Sequence, residues 1–226
     1  ICLYPEHGQD SQTLLQRADV AMYVAKRNAS GYTVYDSKQD VHSLSRLKLM
    51  NELQGAIEGG RLALHYQPYI GVARRATIGL EALARWDHPE FGLIPAADFI
   101  PLAEQSGLIQ PLTRWALTTA IADLTAWRRD GLDCRVSVNL SVKDLQSPAL
   151  ADLVSGLMEA QAVPADRFVL EITEGSVMTD EQNVLENIAR LNRLGVMLNI
   201  DDFGTGYSSL SRLKRLPIDA IKIDRT

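Results

Sequence analysis

The chain has 226 residues, 46% of them apolar and 23% charged, with a formal net charge of −5 at pH 7. That composition excludes a disordered or fibrous protein and is long enough for one large domain or a medium domain with a smaller piece. The acidic balance argues against polymeric nucleic acid as a partner, which calls for basic surface, while remaining compatible with one small anionic ligand in a local site.

No apolar run approaches the ~20 residues of a membrane span. Cys2 and Cys134 have no metal or redox spacing and read as free thiols in a reducing compartment. The first residue is Ile1, so the sequence is expected to be part of a longer protein, with any targeting or anchoring segment upstream.

In chain order, a helix is predicted over 10–31. Asp10 or Ser11 caps it, Leu14, Leu15, Ala18, Ala21, Met22 and Ala25 form its stripe, and Gly31 ends it. Tyr32–Tyr35 reads as a short strand and Asp36–His42 as a polar linker. Ser43–Ile57 has helical spacing and stops at Gly59–Gly60. Strands follow near 62–70, 76–86, 135–141, 168–174, 196–202 and 219–224. Helical patterns fill the later gaps at Leu112–Arg128, Pro148–Gln161 and 180–194. The first two strands are close enough for an antiparallel hairpin; the repeated strand–helix units after them predict a parallel sheet, in an α/β protein of a length that suits a barrel.

Period two along each strand sorts the side chains into two faces. Leu80, Ala82, Ala84 and Trp86 alternate with Glu81, Leu83 and Arg85. Val136, Val138 and Leu140 alternate with Ser137, Asn139 and Ser141. Phe168, Leu170 and Ile172 alternate with Val169, Glu171 and Thr173. Leu198 and Ile200 alternate with Asn199 and Asp201, and Ile221 and Ile223 with Lys222 and Asp224. An ordinary parallel strand is apolar on both faces. Five strands that each place an acid, amide or amine on one face, mostly near the C-terminal end, predict convergence where barrel active sites form.

Four acids in one core repel and are costly to desolvate. A divalent cation offsets this, and an all-oxygen donor set suits Mg²⁺ or Mn²⁺ rather than zinc. The adjacent Asp201 and Asp202 can serve two neighbouring ions, a standard device for phosphodiester hydrolysis. Each residue alone also has a bland reading: Glu81 or Arg85 as half of an ion pair, Asn139 as a turn cap, Lys222 as the partner of Asp224, Asp202 as a loop cap. His65 and His88 match no ligand position and read as structural.

"EALARW" (Glu81–Trp86), "NLS" (Asn139–Ser141), "EITE" (Glu171–Glu174), "DDFGTGYSSL" (Asp201–Leu210) and "IKIDR" (Ile221–Arg225) together resemble the motifs of EAL-domain cyclic-di-GMP phosphodiesterases. Leu3–Gly8 and Leu14–Tyr35 resemble the end of a GGDEF domain. The resemblance implies a small α+β remnant over 1–38, a linker helix over 39–60 and an EAL domain over 61–226. That domain would be a TIM-like (β/α) barrel with an antiparallel first strand, incomplete at its C-terminus by two strands. It further implies hydrolysis of cyclic di-GMP to linear pGpG with two Mg²⁺ or Mn²⁺ ions, a homodimer through the EAL domain, and a cytoplasmic setting in a parent that is membrane-anchored if its N-terminal regions supply a span.

Carried over by motif, Glu81, Asn139, Glu171 and Asp201 would hold the first ion. Asp201 would bridge, and Asp202 would help hold the second. Lys222 would contact the activated water or the attacked phosphate, and Glu174 and Asp224 would support the site, Glu174 by anchoring the loop Phe203–Leu210. Gln67 and Arg85 would hold the ligand. The family's "AEGVE"-type glutamate, its general base, falls after Thr226, so the chain as given is expected to be poorly active. The alternative is an inactive EAL-type receptor for cyclic di-GMP. The stretch "QPYIGVARRAT" (Gln67–Thr77) departs from the family's usual hairpin and is expected to alter the turn without touching the metals.

Overall fold

The computed structural model describes residues 1–27, 31–36, 38–73, 75–177, 182–204 and 216–224, without the side chains at positions 16, 23, 26, 27, 38–45 and 177. The chain divides into two compact units, Ile1–Gln54 and Gly55–Thr226.

In the first unit, α1 (Ser11–Arg27) is capped by Asp10. The Thr13 amide donates to Asp10 Oδ1 at 2.8 Å and the Thr13 hydroxyl to Oδ2 at 2.7 Å, and these bonds hold the Asp10 carboxyl below its ordinary pKa. The expected end of this helix at Gly31 follows residues 28–30, which are outside the described set. Val20, Ala21 and Tyr35 are buried together, with Cys2 packed against them. The strand expected at Tyr32–Tyr35 is not formed. The Tyr35 amide donates to the Ile1 carbonyl at 2.9 Å and the Ile1 amino group to the Thr33 carbonyl at 2.6 Å, two bonds that do not extend into a ladder.

Helix α2 (Lys38–Glu58) begins inside the stretch read as a linker. Residues 38–42 are polar but contain no proline or glycine, so nothing in their backbone chemistry stops a helix. It ends as expected at the glycine pair. Gly60 adopts φ 71°, the Gly59 amide donates to the Gly55 carbonyl, and the Arg61 amide donates to the Ala56 carbonyl, a left-handed C-terminal cap that a side chain would strain.

The second unit runs β1 (Leu62–Gly71), β2 (Ala76–His88), β3 (Gly92–Pro95), α3 (Ala96–Ser106), α4 (Ile109–Arg129), β4 (Val136–Leu140), α5 (Val142–Gln146), α6 (Leu150–Gln161), β5 (Phe168–Thr173), α7 (Glu174–Val177), α8 (Gln182–Arg193), β6 (Met197–Phe203) and β7 (Ala220–Ile223). The strands form one sheet in the order β1-β2-β4-β5-β6-β7, with β3 also on β2. β1 and β3 lie antiparallel to β2, and β2, β4, β5, β6 and β7 run parallel to one another in that order. The sheet curls into part of a TIM-like barrel. Among the described residues, no helix is long and apolar enough to cross a membrane.

The core lies between the outer face of the sheet and the helices. Val136, Val138, Leu140, Phe168, Leu170, Ile172, Leu198 and Ile200 pack there against Leu117, Ile121 and Leu124 of α4, Val154 of α6, and Ile188 and Leu191 of α8. These are the apolar positions of the alternation, so the opposite phase faces the barrel interior. Register aligns that inner face in rows. Gln67 stands beside Glu81 and Glu81 beside Ser137. One step toward the C-terminal ends, Asn139, Glu171 and Asn199 are consecutive neighbours, and beyond them Thr173 stands beside Asp201. The buried His88 is structural: its Nδ1 accepts the amides of Glu90 and Phe91 at 3.1 and 3.2 Å.

Candidate functional site

Three carboxylates from three strands meet at one point. Glu81 of β2, Glu171 of β5 and Asp201 of β6 each offer an oxygen, and the three oxygens lie within 4.8 Å of one another. The ammonium of Lys222, on β7, sits among them. Its Nζ is 2.8 Å from Glu171 Oε2, 3.1 Å from Glu81 Oε2 and 3.2 Å from Asp201 Oδ1. One cation facing three anions leaves an excess of two negative charges, in a place where water screens them poorly. The titration of each group reflects this. Burial pushes the Glu171 carboxyl above its ordinary pKa despite the opposing lysine and a tyrosine hydroxyl. Burial also raises Glu81, but bonds from Asn139 and Lys222 outweigh it and hold that carboxyl below the usual range. Glu171 is fully buried whereas the Glu81 side chain keeps 14% of its exposure, so the Asn139 bond together with the lysine prevails over desolvation at Glu81, and the lysine and tyrosine do not at Glu171. The Lys222 ammonium is held protonated: burial lowers its pKa, and Glu171 and Glu81 raise it further than that.

Asn139, next to Glu171 in register, donates from Nδ2 to Glu81 Oε1 at 3.0 Å. This bond fixes the amide with its nitrogen spent on a carboxylate, leaving Oδ1 as the atom that can face a cation. Two residues on, Ser141 caps α5. Its hydroxyl accepts the Asp144 amide while Asp144 accepts the Ser141 amide. "NLS" is thus a site amide, a core leucine and a helix cap in sequence.

Asp202 breaks the alternation. A regular strand turns it away from Asp201, but it adopts φ 53°, and register slips between Ile200 and Phe203. Such a bulge re-aims a side chain. The Asp202 carboxyl is pushed above its ordinary pKa by desolvation and then by the charges of Asp201 and Asp224, so it stands within electrostatic reach of the site. It is not part of the three-oxygen cluster. Glu174, nearly fully buried at the start of α7, accepts the Gly204 amide at 2.8 Å, directly after β6. The rest of the motif, Thr205–Leu210, and Arg225 lie outside the described residues.

Residues 50–226 match the family model described as EAL domain. The chain belongs to the EAL domain family.

Its relatives include a bifunctional diguanylate cyclase/cyclic di-GMP phosphodiesterase, MucR, of Pseudomonas aeruginosa, which is 40% identical over all of this chain and 33% of that protein. The cyclic di-GMP phosphodiesterase PdeR of Escherichia coli K12 is 40% identical over all of this chain and 34% of that protein. The chain therefore spans about a third of the length of these relatives. Among solved structures, a MucR phosphodiesterase in complex with c-di-GMP matches with a TM-score of 0.75 and 41% identity, over 79% of this chain and 72% of that one.

Of the residues singled out in the sequence, this EAL domain brings Glu81, Asn139, Glu171, Asp201 and Lys222 into direct contact. Asp224 is half-buried after β7, its amide donating to the Phe203 carbonyl at 3.2 Å. Gln67 is exposed beside Glu81, and Arg85 is half-buried on the same face of β2, its Nη1 donating to the Ala84 carbonyl at 2.8 Å. Sequence reasoning missed Tyr69. Its hydroxyl lies 2.7 Å from Glu171 Oε1, 3.1 Å from Glu81 Oε2 and 3.0 Å from Ser137 Oγ. Burial and the adjacent carboxylates push its phenol pKa up. Tyr69 of "QPYIGVARRAT" thus reaches the acidic cluster. The signal was the phase of β1: Tyr69 is two residues from Gln67, on the face that carries Glu81.

Proposed function

We propose that the protein containing this EAL domain hydrolyses cyclic di-GMP to linear pGpG with the help of Mg²⁺ or Mn²⁺. The observation that carries the reading is the convergence of Glu81, Glu171 and Asp201 on a point already held by a cationic group, the Lys222 ammonium. An excess of negative charge and an all-oxygen donor set fit a hard divalent ion. Glu81, Glu171, Asp201 and the Asn139 carbonyl oxygen would hold the first, and Asp202, with Asp201 shared, would hold the second. Such ions stabilise developing charge on the attacked phosphate and lower the pKa of water.

The chain's own residues supply the remainder. Lys222 would be the group that contacts the attacked phosphate or the entering water, its ammonium standing among the three carboxylates that would hold the ion. The Arg85 guanidinium offers a planar fork for phosphate oxygens, and Gln67 offers an amide beside Glu81. Glu174 fixes the chain after β6 through Gly204. Names of relatives support this activity, and the MucR structure supports cyclic di-GMP as the ligand. Residues 1–36 are read as the end of a GGDEF domain, supported by alignment along the whole chain with the bifunctional MucR.

The test is release of pGpG from cyclic di-GMP by the full-length protein, with Mg²⁺ or Mn²⁺ and with excess EDTA. Turnover that EDTA abolishes and Asp201→Asn removes is the expected result. Full turnover in EDTA refutes metal dependence, and tight binding with no turnover under any metal identifies a receptor instead.

A further inference from the structure

Tyr69 touches more of the acidic cluster than any ligand-holding residue named from the sequence. Its single hydroxyl reaches both the buried Glu171 and the half-buried Glu81 from the barrel interior, and the ammonium of Lys222 stands 5.5 Å from its ring centroid. The two Glu171 oxygens are divided between partners. Oε1 accepts from Tyr69 at 2.7 Å, and Oε2 meets Lys222 at 2.8 Å. A carboxylate gripped at one oxygen has its plane fixed, and the other oxygen is presented in a set direction. Oε2 faces the Lys222 ammonium, which also meets Glu81 Oε2 and Asp201 Oδ1. Oxygen or nitrogen donors that orient a metal's own ligands act in this way.

The fold reserves space for the ring. Gly79 is the cross-strand partner of Tyr69, and a Cβ there would come within 3.3 Å of Tyr69 Cδ2 and of the Arg135 carbonyl oxygen. The ring lies over a bare backbone, and register slips immediately after Tyr69. An ordinary tyrosine keeps its proton far above neutral pH, so at neutral pH the hydroxyl is always a donor for one of the two glutamates, with Ser137 Oγ as an alternative partner at 3.0 Å.

We propose that Tyr69 is a positioning residue for the metal centre, holding Glu171 at Oε1 so that Oε2, the oxygen that meets Lys222, faces the cation, and contacting Glu81 at the oxygen it shares with Lys222. This rests on the metal-dependent reading above. Tyr69 does not itself ligate the ion or touch the reacting phosphate; its effect is on how well the ligands are arranged before the ion arrives.

The experiment is Mn²⁺ titration of the full-length protein by calorimetry, with melting curves in EDTA, for wild type, Tyr69→Phe, Ser137→Ala and Asp201→Asn. Tyr69→Phe keeps the ring and its contact with Lys222 and deletes only the hydroxyl. The expected result is a Kd for Mn²⁺ raised about 10- to 100-fold in Tyr69→Phe, unchanged within about twofold in Ser137→Ala, and beyond measurement in Asp201→Asn, with the melting temperature of Tyr69→Phe in EDTA close to wild type. Wild-type affinity in Tyr69→Phe overturns the positioning role while leaving the metal centre intact. An equal loss in Ser137→Ala overturns it too, since the effect would then be one of packing. Mn²⁺ binding that Asp201→Asn leaves untouched refutes the metal centre itself, and the role of Tyr69 with it.

Discussion

The Lys222 ammonium on β7 lies 2.8 Å from Oε2 of Glu171 on β5, and Glu171 is fully buried. The pair joins two strands separated by β6, and it offsets part of the desolvation that raises the Glu171 pKa. Removing one partner of such a pair is costly because the other charge stays buried and uncompensated.

Lys222→Met should therefore lower the stability of the metal-free protein by about 3 kcal/mol, the scale for breaking a buried ion pair. Saturating Mn²⁺ should restore most of it, because the ion satisfies the same three carboxylates. Melting curves with EDTA and with Mn²⁺ check this: the upward shift on adding Mn²⁺ should be larger in the variant than in wild type. Equal shifts would mean that lysine and metal do not serve the same oxygens.

Glu174 tests the chain after β6 separately from the metal. Glu174→Ala leaves the Gly204 amide without this acceptor; Gly204 is exposed and water can replace the bond, so the loss should be about 1 kcal/mol. Glu174→Gln keeps a carbonyl oxygen there and should cost less. Both should lower kcat for cyclic di-GMP while the Kd for Mn²⁺ stays within about threefold, since Glu174 is not part of the three-oxygen cluster. A Kd that moves together with kcat would place Glu174 among the ion's ligands.

The inner face of the sheet was legible in the sequence because period two carries two messages at once. Leu170 and Ile172 mark the outer face, and Glu171 between them marks the inner one. The same logic located Asn139, Asp201 and Lys222. It failed where backbone geometry is local. Asp202 reads as facing away from Asp201 until a left-handed residue and a register slip re-aim it. Tyr69 is chemically unremarkable in a strand, and its importance comes from Gly79 across the ladder. β3, α5 and α7 have four or five residues each, too few to show a period. Helix α2 extends N-terminally past Ser43 to Lys38, because a mostly polar stretch without proline or glycine suits a helix as well as a linker.

Asp144 predicts a pH dependence outside the site. It is 2% exposed and accepts the Thr113 hydroxyl at 2.8 Å and the Ser141 amide at 3.0 Å. Burial outweighs these bonds and raises its pKa. A raised carboxyl binds its proton more tightly in the folded state, so its contribution favours folding as pH falls from the raised value toward the unfolded value of about 3.9. Asp144→Asn has no such proton. The stability of wild type minus that of Asp144→Asn should rise on going from pH 7 to pH 4.5 in urea titrations, because the other acids are common to both. A difference that falls on acidification would show that the hydrogen bonds prevail over burial.

The two adjacent aspartates should differ in what their removal does to Mn²⁺ binding. Asp201 belongs to the three-oxygen cluster and pairs with Lys222 at 3.2 Å. Asp201→Asn keeps the shape, loses that pairing and relieves repulsion from Glu81 and Glu171, so the metal-free protein should be about as stable as wild type. Its Mn²⁺ stabilisation should vanish, and activity should fall on the order of 10²–10⁴-fold, as for loss of a major electrostatic contributor. Asp202 is exposed and held at φ 53°, a conformation that costs a side-chain-bearing residue roughly 1 kcal/mol, less for aspartate than for most. Asp202→Gly relieves that cost and a like charge together. It should melt at or above the wild-type temperature in EDTA, keep one Mn²⁺ bound at the Asp201 cluster, and still lose activity. If instead Asp202→Gly loses all Mn²⁺ binding while Asp201→Asn retains it, the ion sits at the bulge and not among the three converging strands.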